Sequence, residues 1–125
     1  MTDTFYLAAR FSRRTEMIRA SSKLQEELNW KPNCSWVYGG ESGLTRSDIA
    51  ELDLKEVRSS DIIVLFSYPR GDLKSGGGRF IEFGYALALG KKCLVVGSYE
   101  NVFCHHPSVK VYPSLDDLVS DQEEH

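Results

Sequence analysis

Ser60-Asp61-Ile62-Ile63-Val64-Leu65-Phe66 sets five large apolar residues in a row behind a polar stop. With no polar residue alternating, neither face of this run can be left in water. It therefore reads as a strand covered on both sides, as in the middle of a parallel sheet. Working outward, Phe5-Tyr6-Leu7-Ala8-Ala9 and Cys93-Leu94-Val95-Val96-Gly97 are two more buried strands. Val109-Lys110-Val111-Tyr112 is a short final one, and Cys34-Ser35-Trp36-Val37-Tyr38 reads as the second strand in chain order.

Helical spacing fills the gaps. Met17, Ile18, Ser21, Leu24 and Leu28 recur on one face behind Ser12, which is expected to cap that helix, and Trp30-Lys31-Pro32-Asn33 ends it. Thr45 with Asp48 forms a capping pattern ahead of Ile49, Leu52, Glu56 and Val57. Ser114-Leu115-Asp116-Asp117 opens a terminal helix, because serine caps and acids favour the first turn. Strands alternating with helices give an α/β fold: a three-layer sandwich with a mostly parallel five-stranded sheet, flavodoxin/Rossmann-like. A chain of 125 residues is expected to hold one such domain, residues 1–125.

Fifteen Lys and Arg stand against eighteen Asp and Glu, so no global basic excess points to a nucleic-acid polymer. No run approaches the roughly 18 apolar residues of a membrane span, and the N-terminus lacks the basic-then-apolar pattern of a secretory leader. Cys34, Cys93 and Cys104 are odd in number and lack ligand spacing, which suits free thiols in the cytoplasm. Zinc held by Cys104, His105 and His106 suits a tetrahedral site poorly, so no metal and no organic cofactor are expected.

In a parallel sheet the ligand crevice lies beyond the carboxyl ends of the strands. The segments leaving those ends are 9–14, 39–43, 67–78 and 97–107. They gather arginines, a glycine run and a glutamate on one rim. Glu82 follows Gly76-Gly77-Gly78-Arg79-Phe80-Ile81 in a helix whose neighbours Phe83, Ala86 and Leu87 are apolar. A carboxylate there is costly unless it is hydrogen-bonded or has a task. It can be a nucleophile toward an acetal-like carbon, or a helix acid favoured by the dipole. Asp53 can move a proton at the rim or pair with Arg46 or Lys55. Tyr6 can orient a carboxylate or simply pack. Arg10, Ser12 and Arg13 suit a phosphate, with Ser75 and the backbone of Gly76, Gly77 and Gly78 adding donors from the opposite loop. Tyr68 and Phe11 can stack on a planar base. Asp61 is expected to be structural.

With those residues in view, the chain resembles the nucleoside 2-deoxyribosyltransferase family, including its deoxynucleoside 5′-monophosphate N-glycosidase relatives, over about residues 4–97. The resemblance rests on three segments: Phe5-Tyr6-Leu7-Ala8-Ala9, Asp53-Leu54 followed by Ser60-Asp61-Ile62-Ile63-Val64, and Glu82-Phe83-Gly84-Tyr85-Ala86 running on to Ala88-Leu89-Gly90-Lys91. It implies that Glu82 attacks C1′ of the sugar, that Tyr6 positions Glu82, and that Asp53 assists the leaving base or binds the sugar hydroxyls. It also implies a homodimer or larger homo-oligomer. The family's transferases often carry a base-contacting aspartate six residues before the nucleophile, where this chain has Gly76. The relatives' phosphate-contacting serine is displaced by one, at Ser75. The missing aspartate and the added arginines favour a 5′-phosphorylated substrate and water as acceptor. Base exchange between nucleosides and a non-catalytic nucleotide-binding sensor are the alternatives.

Overall fold

The computed structural model describes residues 2–68 and 77–124. Five strands run parallel in one sheet: β1 (Thr4–Ala8), β2 (Lys31–Pro32), β3 (Ile62–Phe66), β4 (Lys92–Val96) and β5 (Val109–Tyr112), in the order β2-β1-β3-β4-β5. Four α-helices connect or follow them: α1 (Arg14–Leu28), α2 (Arg46–Ser59), α3 (Gly78–Ala88) and α4 (Leu115–Glu123). Helix α1 packs on α4, and α2 packs on α3. The sheet is wholly parallel, and its strand order is the flavodoxin-like one, with the switch point between β1 and β3. Among the described residues no helix is long and apolar enough to cross a membrane.

All five residues of β3 are buried, as its composition requires. Its register against β1 is pinned at the start by Asp61, whose carboxylate accepts from the Thr4 amide at 2.9 Å and the Thr4 hydroxyl at 3.1 Å. From that clamp Tyr6 pairs with Ile63 and Leu7 with Val64. The expected caps of α2 and α4 are both present. Thr45 and Asp48 close a reciprocal capping box, and Ser114 accepts from the Asp117 amide.

Two local expectations are corrected. Residues 34–38 are not a strand: Ser35–Tyr38 form a 3-10 turn, and the second strand is the two-residue Lys31–Pro32. Polar side chains divert the backbone. The Asn33 amide donates to the Glu56 carbonyl and the Ser59 and Ser60 hydroxyls, each at 3.0 Å. The Ser35 amide and hydroxyl then donate to the Glu56 carboxylate. Trp36 tucks inward and its indole N–H donates to the Leu7 carbonyl at 2.9 Å. Nor does Ser12 cap α1; residues 11–13 form a 3-10 turn, and α1 begins at Arg14 without a side-chain cap.

Beyond β4 the chain turns at Gly97, whose φ of +123° disfavours any L side chain. A Cβ there would lie 2.5 Å from the Ser67 hydroxyl oxygen, which itself accepts from the Ser98 amide at 2.7 Å. Gly97→Ala is therefore expected to destabilise the protein by about 1–3 kcal/mol, read as a lower urea midpoint with an unchanged slope.

Candidate active site

Tyr6 is fully buried in β1, and its ring spends the length of the residue reaching across to α3. A buried phenol needs a partner for its hydroxyl. Here it donates to Glu82 Oε2 at 2.7 Å. Burial, and then the negative charge of Glu82, raise the Tyr6 pKa, so the hydroxyl stays protonated and remains a donor. Glu82 is half-buried, between the buried Arg79 and Ala86 turns of α3. Burial pushes its carboxyl up to about 7; the Tyr6 hydrogen bond works against that rise, and the charge of Glu41 adds to it.

The Glu82 side chain lines a cavity of about 230 Å³. Ala9, Arg10, Phe11, Trp36, Glu41, Asp53, Gly78 and Arg79 complete its lining. A second groove, about 300 Å³, runs between α2 and α3 and shares Asp53, Gly78 and Glu82 with the first. Asp53 sits between two acids, with side-chain interactions to both Glu41 and Glu82. Burial raises its carboxyl to about 6; the hydrogen bond with Glu41 lowers it, while the charge of Glu82 raises it. Tyr6, Glu82, Asp53 and Glu41 thus form one connected row of acidic groups.

Two arginines share this cavity with the acids. Arg10 is buried, its guanidinium 3.7 Å from the centre of the Tyr68 ring. That face of Tyr68 is occupied by the cation. Arg79, the second residue of α3, is also buried and pairs with Glu100 at 2.5 Å. Glu100 in turn accepts from the Tyr68 amide at 3.0 Å, which ties the start of α3 to the rims after β3 and β4. Arg13 is turned to other duties: it pairs with Glu16 at 2.7 Å and donates to the Ser67 carbonyl at 3.2 Å. Ser12 is exposed and does not line the cavity. Gly77 and Gly78 have open space where a Cβ would stand, so the α3 backbone is approachable at its N-terminus. Ser75 and Gly76 lie outside the described residues.

Sequence reasoning brought Glu82, Asp53, Tyr6 and Arg10 to this rim, and the structure brings all four together. It missed Glu41, Arg79 and Trp36. Glu41 stands between glycines in the turn after the Ser35–Tyr38 segment, a position that reads as loop in the sequence. Phe11 stands at the cavity lip, 71% exposed, its ring 6.2 Å from that of Trp36. The three residues 104–106 diverge: Cys104 is buried, His105 stacks on Tyr99 at 4.4 Å, and His106 accepts from the Ser108 amide.

Two solved structures share this architecture from end to end. A CMP N-glycosidase of Clostridium botulinum matches with a TM-score of 0.67 at 18% identity, over 98% of this chain and 99% of that one. A 2-deoxyribosyltransferase of Leishmania mexicana matches with a TM-score of 0.72 at 16% identity, over 98% and 99%. The chain has the fold of these two enzymes. It is the fold that the resemblance in sequence implied. No protein-family profile and no curated protein sequence matches the chain.

Three raised carboxyls have a thermodynamic consequence. Between the ordinary carboxylate range and about pH 8, the native state holds protons that the unfolded chain has released, so stability falls as pH rises through that window. Glu82→Gln is expected to raise stability at pH 8 by on the order of 1 to 3 kcal/mol and to change little at pH 4, measured by thermal melts at both values. Tyr6→Phe removes the bond that favours ionised Glu82. Its Glu82 carboxyl should titrate at higher pH than in the native protein, as followed by carbon NMR.

Proposed function

We propose that the protein hydrolyses the N-glycosidic bond of a (deoxy)nucleoside 5′-monophosphate, releasing the free base and a sugar phosphate. The observation that carries this reading is the 2.7 Å bond by which a buried tyrosine holds Glu82 at the edge of a cavity lined by both acids and arginines. The shared fold of an N-glycosidase and a deoxyribosyltransferase supports glycosyl chemistry.

In the first step Glu82 attacks C1′ and its oxygen forms the new C1′–O bond. The C1′–N bond breaks, and its electron pair leaves on the base, which is protonated from the Asp53 side of the cavity. Water then attacks C1′ of the glycosyl ester, loses its proton to the acidic row, and frees Glu82. Both displacements invert the anomeric centre, so the outcome is retention. Positive charge grows on the sugar as the base departs, and ionised carboxylates stabilise that state more than the ground state.

Arg10 and Arg79, beside the open N-terminus of α3, suit the 5′-phosphate. The exposed Phe11 ring at the lip suits a stacked base. A second free base in place of water would convert the same intermediate into base exchange, as in a deoxyribosyltransferase. A homo-oligomer is part of the proposal: exposed Phe103 and half-buried Phe80 and Leu87 line an apolar groove of about 530 Å³ on α3, suited to a second copy. The cytoplasm is the proposed location, in keeping with three free buried cysteines.

Glu82→Gln should lower base release from a panel of 5′-monophosphates by about a thousandfold or more. Intact mass should detect a sugar-phosphate adduct on the native protein alone. Near-normal turnover by Glu82→Gln would end the proposal. Arg10→Ala should raise KM for monophosphates about 10- to 100-fold and spare nucleosides. Equal loss on both would assign Arg10 to holding Tyr68 in place.

A further inference from the structure

The turn between the Ser35–Tyr38 segment and α2 is built tightly. Gly39 has a φ of +79°, and a Cβ at Gly40 would lie 2.8 Å from that of Ser35. The Gly40 amide donates to the Ser35 carbonyl at 2.9 Å, and the Leu44 amide to the Glu41 carbonyl at 3.2 Å. These constraints fix the backbone on both sides of Glu41, whose side chain lines the cavity with Asp53 and Arg10. There Glu41 Oε2 and Asp53 Oδ1 are both buried, and among the described residues no N–H or O–H reaches either oxygen. Two buried carboxylates without donors repel unless a proton lies between them.

We infer that Glu41, sharing one proton with Asp53, is the acid that protonates the departing base, a role that rests on the N-glycosidase reading above. The charged groups around it are Asp53, Glu82, Arg10 and Arg79 within the cavity. On its outer side stand Arg46 and Arg14, the latter engaged with the Val37 carbonyl at 2.9 Å. Burial first, then Asp53 by hydrogen bond and charge, hold the Glu41 carboxyl up to about 8. The pair therefore holds its proton to higher pH than an isolated carboxylate would. As C1′–N breaks, the Glu41 O–H bond breaks with it, and the proton joins the base nitrogen or a conjugated atom that receives the electron pair. In the second step the proton lost by water returns to the Glu41–Asp53 pair, which closes the cycle. Asp53, left as an anion beside Glu82, faces the developing positive charge on the sugar.

Glu41→Gln tests this, because it keeps the size and can donate an N–H to Asp53 but has no proton to transfer. Two 5-phosphorylated deoxyribosides serve as probes, one carrying a natural base and one carrying 4-nitrophenol, which departs without protonation. The variant should lose about 100-fold in kcat on the natural base and less than about fivefold on the nitrophenyl compound. The native alkaline limb, where turnover falls as Glu41 deprotonates, should vanish in the variant. Independently of turnover, the Glu41 carboxyl should titrate lower in Asp53→Asn than in the native protein by carbon NMR. Equal loss on both probes, or a native Glu41 that titrates in the ordinary carboxylate range, would overturn the assignment. If the native protein releases neither leaving group, the N-glycosidase reading itself has failed. Turnover of both probes with equal loss in Glu41→Gln removes only the role of Glu41.

Discussion

The hydrogen bond from Tyr6 to Glu82 joins the central sheet to α3 and fixes the carboxylate at the cavity edge. Tyr6 belongs to a strand whose position is fixed on one side by β3 and on the other by β2, so its hydroxyl is placed by backbone pairing. Glu82 is placed by α3, which packs over β1, β3 and β4. A neutral, rigid donor orients the Glu82 carboxylate without cancelling its charge, as an arginine would. A buried phenol gives orientation with no opposing charge.

That arrangement has a cost that the surroundings reveal. Glu41, Asp53 and Glu82 share one small cavity, and burial raises all three carboxyls. Nothing in the packing of an α/β sandwich requires three acids there; apolar residues would stabilise the fold more. Acids with mutually displaced pKa values serve different duties at one pH, one ionised to attack or stabilise and one protonated to donate. The fold tolerates this strain because β3, apolar throughout, and the buried residues of β1 and β4 beside it carry the load.

The layers of the fold were legible in sequence for a simple reason. Continuous apolar runs such as Ile62–Phe66 have one physical solution, and caps such as Thr45 with Asp48 are local chemistry that needs no tertiary context. Glu82, Asp53 and Tyr6 were legible because the topology sends their segments to one rim. What failed was decided by long-range polar contacts. Cys34–Tyr38 has the apolar content of a strand, but Asn33 and Ser35 bind α2 and turn the chain, which no local pattern reveals. The bonds of Arg13 to Glu16 and to the end of β3 are likewise contacts that no local pattern reveals. Glu41 was passed over because a glycine-flanked acid reads as loop until the turn is seen to aim it inward.

The two arginines complete the logic of the site. Arg79 is buried, and its ion pair with Glu100 removes most of the cost of burying that charge. Glu100 is held by the Tyr68 amide, and Tyr68 lies beneath Arg10, so both guanidiniums are oriented through one shared set of contacts. A space of about 230 Å³ thus brings two oriented guanidiniums and three carboxyls together, and that contrast would orient a ligand whose two ends differ in charge.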